Sequence, residues 1–384
     1  MIVGVLGAGT MGSGIAQVAA QNGHKVVLVD LNEQILHKSE EQLTKIMNRL
    51  VEKGRISEDQ SNETQANITY STDIHEFKDC GIVIEAIIED LKIKSHVFEQ
   101  IEQITTNCIL ASNTSSLSIA SIGSALKDPT KVIGIHFFNP APLMKLVEII
   151  PAVQTSDDTL KSAKDLIDGW GKVTVLCKDT PGFIVNRVAR PFYGEALRIY
   201  EEGVADFATI DWAMTSIGGF RMGPFTLMDY IGNDVNYTVT ETVFKAFYYD
   251  PRYKPSFTQK RHAEAGYLGR KSGRGYFSYD ELASNPAPME DDALGKQIFE
   301  RILVMLINEA IDAVFLNIGS KEDIDLAMTN GVNYPKGLLT WADDMGLDIV
   351  LSKLEDLFHE YGEDRYRPSP LLRRMVRDDQ KFFG

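Results

Sequence analysis

Short apolar runs alternate with longer amphipathic segments over the first 180 residues of the chain. The runs are rich in Val and Ile, as buried strands are, whereas the segments between them repeat apolar positions every three to four residues, as helices do. Strands are predicted at 2–6, 25–29, 82–86, 108–112, 131–137, 145–150 and 173–177, and the first two helices at 11–22 and 32–53. This alternation predicts an α/β fold, a doubly wound and mostly parallel sheet wrapped by helices.

The pattern changes at the sequence DTPG, residues 179–182. Beyond it the strand-like runs stop, and amphipathic helical segments dominate to about residue 247. The stretch 281–292 combines prolines with a run of acidic residues, which is typical of a linker. We therefore predict an α/β domain at 1–180, an all-α domain at 181–282, a linker at 283–294 and a further helical domain at 295–384.

The last section of the chain repeats the first helical section. With an offset of 114 positions, residues 187–234 align without gaps on residues 301–348 and share 13 of 48 amino acids. The identical pairs include Glu195 with Glu309, Asp211 with Asp325, and two pairs of glycines. Shared helical composition is the simpler explanation, but it does not account for aligned glycines. We interpret the last hundred residues as a duplicated copy of the helical domain.

Acidic side chains outnumber basic ones, 54 against 39, which gives a net charge of −15. This balance disfavours nucleic acid or an anionic membrane as the main partner, and a polyanionic ligand would need a local basic patch. No apolar run approaches the roughly 18 residues of a membrane span, and no basic leader or import presequence comes ahead of the first strand. We expect a cytoplasmic protein.

Three cysteines, Cys80, Cys108 and Cys177, are far apart and lie in apolar, strand-like surroundings. Their odd number and the lack of CxxC or metal-ligand spacing argue against disulfides and against a metal site. We expect reduced thiols in the core and no bound metal.

A glycine-rich turn follows the first predicted strand and opens the first predicted helix. It has the form GxGxxG and consists of Gly7, Ala8, Gly9, Thr10, Met11 and Gly12. In this context the first glycine permits a tight turn, the second lets the backbone approach a pyrophosphate, and the third lets the helix pack closely on the strand. The N–H groups at the start of the helix suit phosphate. A purely structural turn is the alternative interpretation.

Asp30 ends the second predicted strand, 18 positions after Gly12. A carboxylate there can accept hydrogen bonds from the adenosine ribose hydroxyls and repels a 2′-phosphate. No arginine occurs among residues 31–33 to bind such a phosphate. The sequence therefore predicts NAD rather than NADP as the cofactor.

Polar residues also follow the later strands at their carboxyl ends: Glu89, Asn113, Ser115 and His136. In a doubly wound sheet these ends face one crevice, where ligands bind. Each residue alone fits a turn or a helix cap equally well, and only their coincidence at one sheet edge indicates a site.

His136 and Glu148 both interrupt strongly apolar strands. An unpaired polar side chain there would cost a few kcal/mol, so we expect them to pair. A carboxylate beside an imidazole fixes its tautomer and favours its protonated form, which suits general acid–base catalysis. From these residues alone, a hydrogen-bonded histidine of the core remains the alternative.

Four sequence blocks resemble the signature blocks of the L-3-hydroxyacyl-CoA dehydrogenase family, which includes bacterial 3-hydroxybutyryl-CoA dehydrogenases. They are ASNTSSL at 111–117, HFFNP at 136–140, KDTPGFIVNR at 178–187 and GRKSGRG at 269–275. They occur in order within about residues 1–280, and the remainder resembles a second copy of the family's helical C-terminal domain. The resemblance implies a Rossmann-type NAD-binding domain followed by helical domains. It also implies reversible oxidation of an L-3-hydroxyacyl-CoA, for which we expect a short acyl chain, to a 3-ketoacyl-CoA.

The resemblance assigns roles to individual positions. His136 matches the general base and Glu148 its partner, while Ser115 and Asn186 match the residues around the substrate's hydroxyl and carbonyl oxygens. For Asn186 the residues alone equally allow a helix cap. The resemblance, the glycine motif and the polar residues at the strand ends together indicate NAD contacts at Gly7, Gly9, Thr10, Met11, Gly12, Asp30, Glu89, Lys94, Asn113, Ser115, Asn139 and Lys271.

Basic residues recur along the second predicted helix. Lys38, Lys45, Arg49 and Lys53 share one helical face, with Arg55 just beyond it. The family uses this helix, and a lysine matching Lys53, to bind CoA, so Lys53 and Arg49 are expected substrate contacts. An ordinary solvated face, with Glu41 and Lys45 as a pair, is the alternative.

The second helical copy has Glu300 where the first has Asn186, and no nucleotide-binding half accompanies it. It therefore does not form a second active site. Short members of the family dimerise through their helical domains, whereas large multifunctional members pack two such domains within one chain. We expect residues 296–377 to pack on residues 181–247 as an internal, pseudo-symmetric partner, in a monomer or weak homodimer.

Other functions are compatible with parts of the sequence. The enzymatic alternatives are a 3-hydroxyadipyl-CoA dehydrogenase of aromatic-acid degradation and a dehydrogenase of a free hydroxy acid or sugar acid. The non-enzymatic alternative is a non-catalytic NAD-binding protein like the related lens crystallin. The complete set of Ser115, His136, Glu148 and Asn186 argues against the crystallin. The His–Glu pair argues against hydroxyacid dehydrogenases that use a catalytic lysine.

Overall fold

The computed structural model describes residues 1–282 and 284–384. Over these residues the chain forms two compact units, Met1–Thr180 and Pro181–Gly384. The first is an α/β unit and the second is helical. The boundary falls within the DTPG block, where the hydrophobic pattern changes.

The N-terminal unit is built on one eight-stranded sheet with the order β3-β2-β1-β4-β5-β6-β7-β8. Every neighbouring pair is parallel except β6 with β7. The strands are β1 (Ile2–Leu6), β2 (Lys25–Val29), β3 (Ile68–Ser71), β4 (Ile82–Glu85), β5 (Ile109–Ser112), β6 (Val132–Phe137), β7 (Leu146–Pro151) and β8 (Val173–Leu176). The hydrophobic pattern predicts seven of them to within one residue at each end. It misses β3, a short edge strand in which only Ile68 is buried.

Six helices accompany the sheet. They are α1 (Thr10–Gln21), α2 (Glu33–Glu52), α3 (Glu58–Ala66), α4 (Leu91–Ile104), α5 (Ile119–Gly123) and α6 (Asp157–Gly169), with 3₁₀ turns at Ile74–Asp79 and Pro129–Lys131. One buried cluster joins the sheet to α1, α2 and α6, through residues such as Ile15, Leu43 and Ile167. The three cysteines are free and buried, as predicted.

The sheet changes its direction of growth at β1. Strands β2 and β3 add on one side of β1, and β4 onward add on the other. Leu6, at the end of β1, pairs with Val29 of β2 and with Glu85 of β4. Such a switch point leaves a crevice outside the carboxyl ends of the strands. The residues that follow β1, β2, β4 and β5 therefore share one edge of the sheet.

The C-terminal unit contains eleven helices in its described residues. The first half has α7 (Val185–Val188), α8 (Arg190–Glu201), α9 (Phe207–Trp212), α10 (Pro224–Ile231), α11 (Asn233–Ala246) and α12 (Phe257–Glu264), with a π-helical turn at Ala213–Ile217 and 3₁₀ turns at Pro251–Tyr253 and Arg270–Ser272. The second half has α13 (Asp292–Phe315), α14 (Lys321–Gly331), α15 (Leu338–Met345), α16 (Leu347–Tyr361) and α17 (Pro370–Arg377), with a 3₁₀ turn at Asp364–Tyr366. No helix in the described part of the chain is both long and apolar enough to span a bilayer.

The segment between the two helical halves has no helix or strand over residues 284–291. Ala283, the first residue of the predicted linker 283–294, lies outside the described residues. Helix α13 begins at Asp292, so the last three predicted linker residues are helical. The reason is a cap: the Asp291 side chain accepts the backbone N–H groups of Ala293 and Leu294.

The two halves repeat each other in atomic detail. Asp211 accepts the backbone N–H groups of Phe225 and Thr226 at 2.9 and 2.8 Å, and Asp325 accepts those of Leu339 and Thr340 at 2.8 and 2.9 Å. A Cβ on Gly223 would come within 2.4 Å of Asp211, and one on Gly337 within 2.2 Å of Asp325. The aligned glycines are therefore required by the aligned aspartates.

A second pair of aspartates extends the repeat beyond the aligned 48 residues. Asp229 accepts the backbone N–H groups of Tyr276 and Phe277, each at 3.0 Å. Its equivalent Asp343 accepts those of Phe382 and Phe383 at 2.9 and 2.8 Å. The last residues of the chain thus have the same place in the second copy as residues 276–277 have in the first.

Candidate functional site

The glycine-rich turn joins β1 to α1 as predicted, with Thr10 and Met11 as the first helical residues. Gly7 has a φ of 98°, a conformation that favours glycine, and a Cβ on Gly12 would lie 1.7 Å from the carbonyl oxygen of Gly7. A Cβ on Gly9 would meet nothing within 4 Å, and no side chain caps α1. The tight turn, the open backbone and the free helix start fit the pyrophosphate of NAD.

Asp30 lies directly after β2 and contacts the same turn. Its carboxylate accepts the backbone N–H of Ala8 at 2.8 Å and that of Asn32 at 3.1 Å. The side chain is half-buried, and the next residue, Leu31, is 95% exposed. Asp30 therefore fixes the glycine turn at the end of β2.

A buried ion pair lies at the carboxyl end of β4. Glu85, fully buried, accepts the ammonium of Lys94 at 2.5 Å, the hydroxyl of Ser112 at 2.7 Å and the backbone N–H of Ile87 at 2.7 Å. Lys94, on α4, is itself 1% exposed. The structure places this predicted NAD contact in a buried network rather than on the surface. Sequence reasoning missed Glu85, although an acidic residue ending an apolar strand was a usable signal.

Glu89 connects this network to the loop that carries Ser115. Its carboxylate lies 3.3 Å from the Lys94 ammonium, and it accepts the Ser115 backbone N–H at 3.2 Å and the Thr114 and Ser116 hydroxyls at 2.5 and 3.0 Å. Burial alone would raise the pKa of Glu89, but the Lys94 charge and the hydroxyl hydrogen bonds outweigh it and lower the pKa. An ionised Glu89 therefore holds the Ser115 loop in place.

Two asparagines from the predicted site lie beside the same sheet edge. The Asn113 side-chain oxygen accepts the backbone N–H of Phe137 at 2.8 Å, which ties the end of β5 to the end of β6. Asn139 follows β6 in an exposed position, before a cis peptide bond to Pro140. Asn113 has a structural partner, and Asn139 lies at the surface.

His136 and Glu148 face each other across the antiparallel pair β6 and β7. They are direct register partners, and His136 Nδ1 lies 2.7 Å from Glu148 Oε2. His136 is 6% exposed and Glu148 fully buried, while the alternate positions Phe137 and Val147 point into the hydrophobic core. The predicted pairing is thus present. A carboxylate fixed on one imidazole nitrogen orients the ring for proton transfer at the other.

Asp179 is a further residue without an assigned role in the sequence analysis. It accepts the backbone N–H groups of Ile119 and Ala120 at 3.1 and 2.8 Å and the Ser118 hydroxyl at 3.1 Å. It therefore caps α5, which directly follows the Ser115 loop. Its position inside the block 178–187 was the available signal.

Asn186 and Lys271 belong to the C-terminal unit. Asn186 is half-buried inside the short helix α7 rather than at its cap, which is Ile184. Lys271 Nζ lies 2.6 Å from Asp234, and both side chains are partly exposed. Asn186 is therefore not the helix cap of the alternative interpretation.

The basic residues of α2 and of the turn directly after it form an exposed stripe. Lys38, Lys45, Arg49, Lys53 and Arg55 are all exposed, and none has an ion-pair partner within the described residues. The opposite face of the helix is buried. Glu41 and Lys45 do not form the ion pair of the alternative interpretation, so the charges remain available to an anionic ligand.

Two family models match the chain. The model of the 3-hydroxyacyl-CoA dehydrogenase NAD-binding domain matches residues 2–180. The model of the 3-hydroxyacyl-CoA dehydrogenase C-terminal domain matches twice, at residues 182–279 and 298–381. The two C-terminal matches coincide with the two halves of the repeat.

Individual relatives agree with these models. The chain is 36% identical to the 3-hydroxyadipyl-CoA dehydrogenase of Escherichia coli (strain K12), over 97% of this chain and 96% of the relative. It is 41% identical to the probable 3-hydroxybutyryl-CoA dehydrogenase of Deinococcus radiodurans, over 73% of this chain and 100% of the relative. The crystal structure of 3-hydroxybutyryl-CoA dehydrogenase from Escherichia coli K12 superimposes with a TM-score of 0.94 at 35% identity, over 98% of each chain.

The resemblance noted in the sequence is thereby confirmed along nearly the whole chain. An NAD-binding Rossmann-type unit comes first, and the family's C-terminal domain follows it twice. The chain belongs to the 3-hydroxyacyl-CoA dehydrogenase family of NAD-dependent oxidoreductases.

Proposed function

We propose that the chain oxidises short-chain L-3-hydroxyacyl-CoA to 3-ketoacyl-CoA, reversibly, with His136 as the general base. The observation that carries this proposal is the buried hydrogen bond of 2.7 Å between His136 Nδ1 and Glu148. In the oxidation, the other ring nitrogen takes the proton of the substrate's hydroxyl group, and Glu148 stabilises the imidazolium that forms. NAD, when bound, supplies the acceptor for the hydride of C3. In the reduction, His136 returns the proton.

Ser115 and Asn186 are the proposed contacts to the substrate's oxygens. The Ser115 loop is held by Glu89 from one side and by Asp179, through α5, from the other. Such preorganisation lowers the cost of orienting the substrate for reaction. We assign NAD contacts to the glycine turn, Asp30 and Glu89, and a supporting role to Lys94, because its ammonium is buried against Glu85.

Substitution of the base tests the proposal. His136→Gln should abolish NADH oxidation with acetoacetyl-CoA while leaving NADH binding, measured by fluorescence titration, nearly unchanged. His96→Gln is the control, since His96 is 69% exposed on α4. Turnover like that of the wild type in His136→Gln would refute the assignment.

Substrate choice is tested by comparing thioesters. NADH oxidation should be fastest with acetoacetyl-CoA, slower with longer 3-ketoacyl-CoAs and absent with free acetoacetate. A preference for 3-ketoadipyl-CoA, which ends in a carboxylate, would favour the dicarboxylic alternative. No reaction with any thioester would eliminate the proposal.

We further propose that the exposed stripe on α2 binds the CoA phosphates. Five exposed cations without an ion-pair partner in the described residues lie on α2 and directly after it, which gives an acidic protein a local site for a polyanion. Reversing the charges of Arg49 and Lys53 should raise KM for acetoacetyl-CoA much more than KM for NADH. Reversal at the exposed Lys127, which is outside α2, should change neither. Equal effects on both substrates would refute the stripe.

The second helical copy is, we propose, the internal partner of the first. Helices α8 and α13 pack against each other, and two equivalent ion pairs cross between the copies. Arg187 Nε lies 2.6 Å from Glu309, and Arg301 Nε lies 2.7 Å from Glu195. Because both members of one pair are the repeat equivalents of the other, the two copies are related by an approximate two-fold axis.

One position departs from this symmetry. It favours pairing of the two copies within one chain over pairing of the first copies of two chains. Asp312 accepts Arg187 at 3.2 Å and Arg252 at 2.8 Å, and its repeat equivalent is Arg198. If another first copy replaced the second, an arginine would stand beside these two arginines. Such juxtaposed like charges, away from water, cost several kcal/mol.

Light scattering tests this arrangement. The full chain should have the monomer mass of 42.8 kDa at micromolar concentration. An obligate dimer whose amides on α8 become protected from hydrogen exchange on association would overturn the proposal.

We propose the cytoplasm as the compartment. The three thiols are free and buried, and burial raises the pKa of Cys80 and Cys108 to about 12, so they stay protonated. Fractionation of the source cells would test the location, and enrichment in a membrane or secreted fraction would refute it.

A further inference from the structure

The short helix that carries Asn186 depends on its surroundings for its position. Helix α7 has four residues, too few for stability on its own. The turn before it contains Phe183 with a φ of 48°, a left-handed conformation that costs energy for a residue with a side chain. Only Ala189 separates α7 from α8, and Arg190 of α8 donates to the Asn186 carbonyl at 2.8 Å, so the position of Asn186 depends on the contacts of α7 as well as on this local link.

Arg187, the next residue on α7, makes two polar contacts to the second copy. Its side chain is 1% exposed, its Nε lies 2.6 Å from Glu309 and its Nη2 3.2 Å from Asp312. Its own backbone N–H is bonded to Gly182 at 3.1 Å, which ties it to the turn. Both carboxylates lie on α13, so one arginine links α7 to the central helix of the second copy.

The two carboxylates are held independently of Arg187. Tyr253 donates a hydrogen bond to Glu309, and Arg252 donates one to Asp312 at 2.8 Å. Glu309 is 2% exposed and Asp312 6%. A charged anchor that is buried and fixed by other groups restricts the position of its partner closely.

We propose that Glu309 and Asp312 are positioning residues for the dehydrogenase reaction: through Arg187 they hold Asn186 where the substrate needs it. This inference depends on the substrate-binding role proposed for Asn186. The second copy then contributes to turnover without carrying any group that touches the substrate.

The pseudo-symmetry supplies a matched control. Glu195 is 2% exposed, like Glu309, and accepts Arg301 Nε and the Tyr366 hydroxyl, both at 2.7 Å. Arg301 follows Glu300, the residue at the position equivalent to Asn186. Glu195→Gln therefore removes the same charge, at the same burial, from the equivalent ion pair, whose arginine follows Glu300 instead of Asn186.

The experiment compares Glu309→Gln, Asp312→Asn and Glu195→Gln in the full chain. Thermal unfolding should show similar losses of stability for Glu309→Gln and Glu195→Gln, because the two bonding patterns are alike. Displacement of Asn186 should lower kcat for acetoacetyl-CoA reduction by about tenfold to a hundredfold in Glu309→Gln, and in the same direction in Asp312→Asn. Glu195→Gln should keep kcat within about twofold, and the Kd for NADH should be unchanged in all three.

Hydrogen exchange separates the outcomes. Amides at 182–188 should exchange faster in Glu309→Gln and at the wild-type rate in Glu195→Gln. Equal losses of kcat in both variants, or an unchanged kcat in both Glu309→Gln and Asp312→Asn, would overturn the positioning role. Failure of the proposed function would be recognised by different results. Either the wild-type enzyme would not act on any thioester, or the His136→Gln variant would be active. If Glu309→Gln does not fold, Asp312→Asn, which leaves Glu309 in place, decides the question.

Discussion

Replacement of Lys94 by methionine isolates the contribution of the buried network beside the Ser115 loop. The substitution keeps a long unbranched side chain and removes the ammonium, which lies 2.5 Å from Glu85 and 3.3 Å from Glu89. Glu85 is fully buried and Lys94 is 1% exposed. Water therefore cannot reach the unpaired Glu85 carboxylate to hydrate it unless the surrounding structure opens.

Breaking one partner out of a buried ion pair costs about 3–5 kcal/mol, because the remaining charge is uncompensated. Glu85 keeps two donors, the Ser112 hydroxyl and the Ile87 N–H, both at 2.7 Å, which places the expected loss near the lower end, about 3 kcal/mol. For a unit of 180 residues, a loss of this size corresponds to a fall in Tm of about 6–12 °C.

A double-mutant cycle by urea and thermal unfolding measures the pair. Glu85→Gln in the Lys94→Met background removes the stranded charge, so the double variant should be more stable than the sum of the two single losses by at least about 1 kcal/mol. Lys92→Met, an exposed position on the same helix, is the control and should change stability by less than about 0.5 kcal/mol. A loss below about 1 kcal/mol for Lys94→Met, or simple additivity, would refute the reasoning.

Three further predictions follow from the site. Gly9→Ala should fold normally, since the φ of Gly9 is −68° and an added Cβ meets nothing within 4 Å, yet it should bind NADH at least about tenfold more weakly. Gly12→Ala should bind NADH more weakly and also lose stability in thermal unfolding, because its Cβ collides with the Gly7 carbonyl. Equal stability of the two variants would contradict the geometry. Glu148→Gln should lower kcat by about 10²–10⁴ with an unchanged Kd for NADH, and a kcat within twofold of the wild type would remove Glu148 from the mechanism. Burial opposes ionisation of Glu89, but Lys94 and the hydroxyls lower the pKa of Glu89 in the folded state. The ionised carboxylate therefore stabilises the fold above the ordinary pKa of 4.5, and this stabilisation is lost as the pH falls through the folded pKa. On acidification from pH 5 to pH 3 in denaturant titrations, Lys94→Met should therefore lose less stability than the wild type, and a steeper loss would contradict this sign.

The fold follows from the sequence wherever one physical signal dominates. Uninterrupted apolar runs predict the central strands, and the Asp211 and Gly223 pattern reveals the repeat because a buried carboxylate against a glycine tolerates no other residue. Strand β3 is not predicted, because too few of its side chains are buried to give the strand a hydrophobic pattern. The first turn of α13 escapes because its cap, Asp291, is one of several acidic residues in a segment of linker composition.

Some residues of the candidate site can likewise be predicted from the sequence, and others cannot. His136 and Glu148 are predictable as a pair because two polar residues in apolar strands need each other. The burial of Lys94 is not, because its partner Glu85 becomes visible only when α4 is packed beside β4. The link from Arg187 to Glu309 spans 122 positions, and nothing local in either segment indicates it.

Each helical copy contains a buried aspartate packed against a glycine, a contact we call the aspartate–glycine lock. These locks show what the duplication has preserved. Asp211 with Gly223 and Asp325 with Gly337 keep the same backbone contacts, while the position of Asn186 has become Glu300. The second copy has thus retained its shape and changed its chemistry. It offers a scaffold for protein engineering: surface residues of α14 to α17 can be redesigned to recruit a chosen partner, as long as the locks and the carboxylates facing Arg187 stay in place.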